Sequence, residues 1–500
     1  MLLVDRPISS RAVFFLLGCL FTIVFEPVGM SLLVPIFLLP YLYVCLKLSS
    51  RDAAAYCFWF GVGLFLCGTY WIYLSVTGPG EAEWWIGGLL VVALTLIMAL
   101  YLALTAWVIG KLSRGEPWWL LVNAPATWTF IEWLRGWLLS GFPWMSLGYS
   151  QIDSALAGWA PVFGVYGVTA VLVLSASALL ISILTRGLQQ WIAIGIFLLP
   201  WICGAVLKSI EWTETAGAPI QVTVIQAGIP QDQKWLPEQR EPTMNFYRDA
   251  TLSAMDSALI VWPEVAIPAL TNRVEDYIDS LDRISELTGQ TILFGILESE
   301  VQRTDATNIY NSVILVDGQR RQVYRKRHLV PFGEFFPVPA KVREWMRLMN
   351  LPFSDITPGE EEQALLVSAD GTRLAIAICY EDAFASEMRY AFPEATLLIN
   401  VSNDAWFGDS IAPHQHMQIA RMRSLEVGRF LIRATNTGIS AFIDERGKVL
   451  RSGAQFKPVT MTMKVEPRSG TTPYTNNGNW PVIVLCFLII AGFWLRSRAA

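Results

Sequence analysis

Residues 374–382 read Leu374-Ala-Ile-Ala-Ile-Cys379-Tyr-Glu-Asp382, an unbroken apolar run that ends in a cysteine and two carboxylates. An apolar run without alternation is typical of a strand that is covered on both faces of its sheet. Of the seven cysteines, Cys379 alone lies outside the long apolar segments of the chain. A lone thiol at a strand end beside carboxylates is a candidate nucleophile, and the alternative is a small buried hydrophobe.

The composition divides the chain into an apolar part and a globular part. Hydrophobic residues make up 53% and charged residues only 16% of the 500 residues, whereas soluble chains carry about 25% charged residues. We expect a seven-helix membrane bundle over residues 1–210, a catalytic domain over 215–475 and an eighth membrane helix over 480–495. The net charge of −5 argues against nucleic acid as a partner.

Eight apolar runs are candidates for membrane spans, because crossing a bilayer takes about 20 mostly apolar residues. One such run could be a buried core helix, but eight in one chain favour a membrane protein. Glu132 and Arg135, near the end of the fifth run, are three residues apart on one helix face and could pair. The runs cover residues 9–25, 31–48, 53–76, 85–110, 117–134, 159–185, 190–207 and 480–495.

The positions of the cations predict the topology, because Lys and Arg concentrate in cytoplasmic loops. Both termini are then cytoplasmic, and the large polar domain lies across the membrane, in the periplasm of a Gram-negative cell. That compartment is oxidising, and a domain with a single cysteine cannot form an internal disulfide there. The cations that define this side are Arg6, Arg11, Lys47, Arg51, Lys111, Arg114, Arg186, Arg496 and Arg498.

Within the polar segment, apolar strand-like runs alternate with amphipathic stretches, which predicts an α/β sandwich with functional loops at the strand ends. Helices are expected at about 237–256, 274–288 and 413–429. Strands are expected at 221–226, 259–262, 291–297, 310–316, 374–378, 396–401, 431–435, 440–443 and 459–465.

Two further strand ends carry residues that complement a thiol. Glu264 stands in Trp262-Pro-Glu264, and Lys326 lies in the basic run Arg325–His328, which continues into Pro331-Phe-Gly-Glu334-Phe-Phe-Pro337. Taken alone, Glu264 is better interpreted as an exposed turn glutamate, and the alternative for the Lys326 segment is a solvated basic run. Taken with Cys379, they supply the base, the cation and the nucleophile that acyl transfer through a thioester requires.

Other groups near the candidate nucleophile leave some alternatives open. The backbone N–H of Tyr380 is a natural second donor to an oxyanion. The chain has three histidines, so a Cys–His pair remains possible. His414 and His416 lie two residues apart and splay on a helix, which disfavours a shared metal. We expect no metal and no cofactor.

The three strand-end motifs resemble the Glu-Lys-Cys triad of the nitrilase, or carbon–nitrogen hydrolase, superfamily. Other features are similar to its membrane branch, the apolipoprotein N-acyltransferase family, including eight spans with the polar domain before the last. The stretches that carry this resemblance are Trp262–Glu264, Arg325–Glu334, Cys379–Glu381, Ser402–Gly408 and Arg433–Gly438.

The resemblance implies a nitrilase-like α-β-β-α sandwich beside a membrane α-helical bundle. It implies a ping-pong reaction in which Cys379 takes an acyl chain from a phospholipid as a thioester. The chain then passes to the α-amine of the N-terminal S-diacylglyceryl cysteine of an apolipoprotein. The implied setting is a monomeric enzyme of the bacterial inner membrane.

The resemblance also implies supporting roles around the triad. Glu334 and Glu381 would hold Lys326, for which ordinary salt bridging is the alternative. Trp235 would lie near the substrate entrance, or would be a plain interfacial tryptophan. The remaining implied residues are the lid of Phe332, Gly333 as hinge, Phe335 and Phe336, and the pocket residues Asn403, Asp404 and Trp406.

Two other functions compete with this interpretation. A membrane-tethered amidase or nitrilase would use water as the acceptor and would leave the membrane bundle without a role. A transporter would carry charges along a path through its spans, and these spans are nearly free of charged residues.

Overall fold

The computed structural model describes residues 7–80, 82–301, 307–335 and 356–499. Its helices agree in position with the eight predicted spans. The apolar helices are α1 (Pro7–Phe21), α2 (Val34–Lys47), α3 (Ser50–Gly68), α4 (Trp71–Thr77), α5 (Trp84–Ser113), α6 (Pro117–Arg135), α7 (Ala160–Leu184), α8 (Leu188–Lys208) and, after the polar domain, α12 (Trp480–Ala499).

Among the described residues, four helical segments are long and apolar enough to cross a membrane, and the bent pair α3 and α4 could add a fifth. The four are Trp84–Ser113, Ala155–Leu184, Leu188–Lys208 and Trp480–Ser497. Helices α1 and α2 belong to shorter apolar segments, Ser9–Val24 and Ser31–Lys47. Length and composition therefore support a membrane protein without establishing eight spans.

The predicted span 53–76 is not one continuous helix. It is broken between α3 and α4, whose axes differ by 52°. Side chains at the break occupy the last carbonyls of α3: the Thr69 hydroxyl donates to Phe65 O at 2.6 Å and the Trp71 indole donates to Gly68 O at 3.2 Å. The indole bond satisfies a carbonyl that the helix end leaves without an intrahelical partner, whereas Phe65 O also accepts from Thr69 N at 2.9 Å.

The polar domain contains two sheets and three longer helices, as expected for an α/β sandwich. Every predicted strand and helix is present within a few residues of its expected ends. The helices are α9 (Pro237–Ser253), α10 (Glu275–Thr288) and α11 (Ala412–Val427). The strands are β1 (Ile220–Gln226), β2 (Leu259–Val261), β3 (Ile267–Leu270), β4 (Thr291–Val301), β5 (Thr307–Val316), β6 (Arg321–Arg325), β7 (Leu366–Val367), β8 (Arg373–Ile378), β9 (Leu397–Ser402), β10 (Leu431–Thr435), β11 (Ala441–Ile443), β12 (Val449–Ser452) and β13 (Val459–Val465). Glu214–Thr215 pairs with Arg468–Ser469 in a small separate sheet.

Both sheets are mixed, with a parallel centre. The first has the order β13-β1-β2-β4-β5-β6, and β3 pairs with β4. Its β1–β2 and β2–β4 pairs are parallel. The second has the order β12-β11-β10-β9-β8-β7, with β8, β9 and β10 parallel. Because parallel strands end at the same edge of a sheet, the residues that follow β8 and β9 lie close together.

Alternation along each strand builds the layers of the sandwich. Leu374, Ile376 and Ile378 of β8 pack with residues of the first sheet, including Leu259 and Val261, between the two sheets. The intervening Ala375 and Ala377 pack with Met417 and Ala420 of α11 on the outer face. Ile260 and Trp262 likewise pack with residues of α9 and α10 on the outer face of the first sheet. Burial on both faces explains why these strands are apolar throughout.

Two buried charged residues of α6 hold residues 142–147, which lie between the apolar helices α6 and α7, against the polar domain. Glu132 accepts hydrogen bonds from Leu147 N at 3.0 Å and from the Thr169 hydroxyl at 2.6 Å. Arg135 donates to the carbonyls of Phe142 and Trp144, both at 2.7 Å. The segment 142–147 is thereby fixed against the polar domain, where the Trp144 indole donates to Gln415 Oε1 of α11 at 2.7 Å.

Candidate active site

Three predicted residues meet at one edge of the sandwich. Glu264 follows β2, Lys326 follows β6 and Cys379 follows β8, and all three are buried. Lys326 Nζ lies 3.6 Å from Glu264 Oε1. The charges of Glu264 and Lys326 both act on the Cys379 thiol, so the three groups form one cluster.

Glu264 is held in place by its backbone and by its side chain. The following residue, Val265, has a φ of +45°, and Gly295 of β4 packs directly behind the loop. A Cβ on Gly295 would lie 2.5 Å from Val265 N, so this close approach requires glycine. Glu264 Oε1 accepts from Asn311 Nδ2 at 2.7 Å, and Oε2 accepts from Asn403 N at 2.7 Å.

Lys326 is a buried cation with two carboxylate neighbours. Its Nζ lies 2.8 Å from Glu334 Oε2 and farther from Glu264. Burial alone would lower the pKa of Lys326, but Glu334, Glu264 and Cys379 outweigh burial and raise it above the ordinary value. Lys326 therefore carries its positive charge throughout the physiological pH range.

Cys379 lies in an unusual backbone conformation. Its φ is +53°, in the left-handed region that residues other than glycine seldom adopt. Burial, followed by the charge of Glu264, raises the pKa of the Cys379 thiol well above the ordinary value, and Lys326 opposes this shift. The thiol is therefore protonated at neutral pH, and a thiolate would form only if a base removed the proton.

Tyr380 and Glu381 link the cysteine turn to its surroundings. The Tyr380 hydroxyl donates to Gly141 O of the membrane part at 3.2 Å. Glu381 accepts from the backbone N–H groups of Ile378 and Arg327, both at 2.7 Å. Glu381 thus joins the turn that bears Cys379 to the turn that bears Lys326, whereas Glu334 contacts the lysine directly.

The residues expected at the lid and entrance differ in exposure. Trp235 is 47% exposed and Phe332, with a φ of +65°, is 49% exposed. Gly333 donates its N–H to Val330 O at 3.2 Å, and Phe335 O accepts from Phe332 N at 2.7 Å. Phe336 lies outside the described residues.

The three expected pocket residues lie beyond β9, and Asp404 is fully buried and paired with Arg433 at 3.0 Å. Asn403 donates its backbone N–H to Glu264, and its side-chain amide donates to Gln231 Oε1 at 2.9 Å. Trp406 is half-buried in the turn Asp404–Phe407. Asn403 therefore contacts Glu264 directly, through its backbone.

Two residues of the cluster were missed by sequence reasoning. Asn311 Nδ2 bridges Glu264 Oε1 at 2.7 Å and Glu334 Oε1 at 2.9 Å. Lys234 is buried, and its Nζ donates to Glu264 O at 3.4 Å. Burial lowers the pKa of Lys234 to about 8, although Glu264 opposes the shift. The available signal for Asn311 was an amide directly before Ser312 and the apolar run 313–316 of the same strand.

Two family models match the two parts of the chain. The family model for the apolipoprotein N-acyltransferase N-terminal domain matches residues 17–178, and the carbon-nitrogen hydrolase model matches residues 221–473. A solved structure from Xanthomonas campestris, described as a CN-hydrolase superfamily protein, is 16% identical, with a TM-score of 0.38, and covers 54% of this chain and 97% of that chain.

Curated relatives are similar over nearly the whole chain. The apolipoprotein N-acyltransferase of Methylococcus capsulatus is 39% identical over 487 residues, covering 96% of this chain and 95% of that protein. The apolipoprotein N-acyltransferase of Pseudomonas syringae is 38% identical over 456 residues, covering 90% of each. The chain accordingly belongs to the apolipoprotein N-acyltransferase family, with a carbon–nitrogen hydrolase domain joined to apolar helices.

Proposed function

We propose that this protein transfers a fatty acyl chain from a phospholipid to the α-amine of the N-terminal S-diacylglyceryl cysteine of apolipoproteins. The observation that carries the proposal is the buried cluster of Glu264, Lys326 and Cys379 in a chain of this family. A soluble amidase has no use for long apolar helices, whereas an enzyme with two lipid substrates works at a membrane surface.

In the first half-reaction, Glu264 takes the proton of the Cys379 thiol and the sulfur attacks the ester carbonyl of the phospholipid. Lys326 and the N–H of Tyr380 stabilise the oxyanion of the tetrahedral intermediate. The ester C–O bond breaks, and Glu264 returns the proton to the lysophospholipid oxygen. The acyl chain remains on Cys379 as a thioester.

In the second half-reaction, the neutral α-amine of the acceptor attacks the thioester carbonyl. Glu264 takes the amine proton as the C–N bond forms, which is general base catalysis. The C–S bond breaks, and the proton returns to Cys379. The elevated pKa of the thiol favours the return of the proton, because the protonated thiol is the stable resting state.

The membrane setting belongs to the same proposal. Residues 1–210 form seven spans, 215–475 form the catalytic domain and 480–495 form the eighth span, with both termini cytoplasmic and the domain periplasmic. The protein acts as a monomer in the inner membrane. The exposed aromatic rings of Trp235 and Phe332 support an acyl-chain entrance at the membrane surface.

Transfer can be tested with purified protein, a phospholipid and a synthetic diacylglyceryl lipopeptide. We expect wild-type protein to add one acyl chain to the lipopeptide amine, and Cys379→Ala to add none. Release of free fatty acid or ammonia without lipopeptide acylation would favour the tethered hydrolase instead.

A further inference from the structure

Four charged side chains form a closed, buried group directly behind the nucleophile. His416 of α11 lies between Asp382 and Asp404: its Nε2 is 2.9 Å from Asp382 Oδ1 and its Nδ1 is 3.0 Å from Asp404 Oδ1. Arg433 of β10 closes the group, with Nη1 3.2 Å from Asp382 Oδ2 and Nη2 3.0 Å from Asp404 Oδ2. Arg433 Nη2 also lies 2.8 Å from His416 Nδ1, a contact that opposes protonation of the imidazole and that the two aspartates must outweigh. We call these four residues the quartet. Each is at most 1% exposed at its side chain.

The quartet is attached to the turn that carries the nucleophile. Asp382 lies in the same 3₁₀ turn as Cys379, Cys379–Ala383. His416 Nε2 is 3.4 Å from the carbonyl oxygen of Cys379, and Asn400 Nδ2 is 3.5 Å from the same oxygen. Since Cys379 has a φ of +53°, its backbone is strained by about 1–3 kcal/mol and persists only where its surroundings hold it.

The charges balance only when His416 is an imidazolium. Two aspartates and Arg433 alone would leave one uncompensated negative charge in a fully buried site, which is costly. Burial and Arg433 would lower the pKa of His416, but Asp382 and Asp404 raise it to about 9. The imidazolium is therefore the main form at neutral pH.

The other groups around His416 bring no further unpaired charge. Arg423 and Glu426, on the same helix, pair with each other at 3.1 Å. Asn400 of β9 is neutral and contacts Arg433. From the membrane part, the uncharged ring of Trp144 covers the imidazole at 5.5 Å between ring centroids. From the nucleophile turn, Glu381 is directed toward Ile378 and Arg327.

We propose that His416, in its cationic form, is a positioning residue for acyl transfer, because the quartet holds the Cys379 turn in the conformation from which the thiol attacks. This inference rests on the proposed function and extends it. None of the triad residues is part of the quartet, so His416 acts through Asp382 and the Cys379 carbonyl.

The test compares single-turnover formation of the acyl-enzyme in wild-type protein and His416→Gln between pH 6.5 and 10.5. We expect the wild type to be roughly 10- to 100-fold faster at pH 7, the range expected for losing one hydrogen bond to a charged group. As pH rises through about 9, wild-type His416 loses its proton, so the ratio of the two rates falls toward one. Because Asp404 of the quartet also acts on the thiol, the ionisation of Cys379 is followed in both proteins by iodoacetamide alkylation, and the rates are compared at equal fractions of thiolate.

His414→Gln is the matched control, because His414 lies on the same helix and is not fully buried; its profile should follow the wild type. Asp382→Asn is the second variant. It removes a charge that raises the pKa of His416. The decline of the acylation rate at alkaline pH should therefore begin at a lower pH in Asp382→Asn than in the wild type.

The proposal is overturned if the ratio of the wild-type and His416→Gln acylation rates stays constant across pH. His416 would then contribute only packing. If His416→Gln fails to fold, an unshifted alkaline limb in Asp382→Asn overturns the proposal equally. Absence of acyl-enzyme in the wild type would instead count against the proposed function.

Discussion

We expect Asn311→Ala to slow acyl-enzyme formation and to lower the free energy of unfolding, because the Asn311 amide orients Glu264. Asn311 donates one N–H to Glu264 Oε1 at 2.7 Å and the other to Glu334 Oε1 at 2.9 Å. In Asn311→Ala, both carboxylates lose a donor at a buried position, while the backbone carbonyl of residue 311 still accepts from Lys326 N. Glu264 then keeps the Asn403 N–H and the lysine but loses the bond that fixes its orientation.

The size of the effect follows from the two bonds. A hydrogen bond to a charged group contributes about 1.5–3 kcal/mol, so the free energy of unfolding should fall by about 2–4 kcal/mol if water replaces part of the loss. If about 2 kcal/mol of this energy also stabilises the transition state, acyl-enzyme formation slows roughly 30-fold.

The assay is rapid-quench measurement of acyl-enzyme by intact-protein mass, at a temperature where the variant is folded, beside a thermal unfolding curve. The matched control is Asn308→Ala on the same strand, since Asn308 donates to the Tyr310 hydroxyl at 3.1 Å and does not contact the triad. An Asn311→Ala protein with the wild-type rate would refute the inference that this amide positions Glu264.

Two further perturbations test the charge and the packing of the site. Lys326→Met removes the cation that lowers the pKa of Cys379. The pKa of the thiol should then rise further, and iodoacetamide should alkylate Cys379 at least about tenfold more slowly at pH 8. The control is Lys464→Met, at an exposed position, and unchanged alkylation in Lys326→Met would show that Lys326 does not act on the thiol. Gly295→Ala places a Cβ 2.6 Å from Pro263 O, so we expect a loss of about 1–3 kcal/mol in unfolding free energy from overpacking and slower acylation. The control is Gly195→Ala in α8, where the new Cβ meets no atom beyond the adjoining helix backbone. It should not lower the unfolding free energy, because alanine is favoured over glycine inside a helix, and it should not slow acylation. An equal loss in both variants would argue against a specific role for the Glu264 loop.

Local patterns were sufficient to predict most of the sandwich. Runs such as 374–378 and 259–262 are apolar throughout because helices cover one face and the second sheet covers the other. The same runs end abruptly in Glu264 and Cys379, so polar residues at strand ends were visible as candidates. Short strands such as β3 and β7 were missed because two to four residues carry no usable alternation.

Features that depend on tertiary contacts could not be predicted. The periodicity of residues 413–429 predicted helix α11, but it could not show that His416 faces Asp382 and Asp404. Asn311 is one of several polar residues in the first half of β5, and only the pairing of β5 with β4 and β6 places it beside Lys326. The break between α3 and α4 likewise depends on which side chains take the carbonyls of Phe65 and Gly68.

The central claim is that Cys379 carries the acyl chain between two lipid substrates. The most direct measurement is the intact mass of the protein after mixing with a phospholipid of one defined acyl chain, before and after addition of a diacylglyceryl lipopeptide. We predict one added acyl mass on Cys379, sensitive to hydroxylamine, that disappears as the lipopeptide gains the same mass. A protein that acylates the lipopeptide while Cys379 remains unmodified throughout turnover, or an adduct that the lipopeptide cannot discharge, would contradict the account.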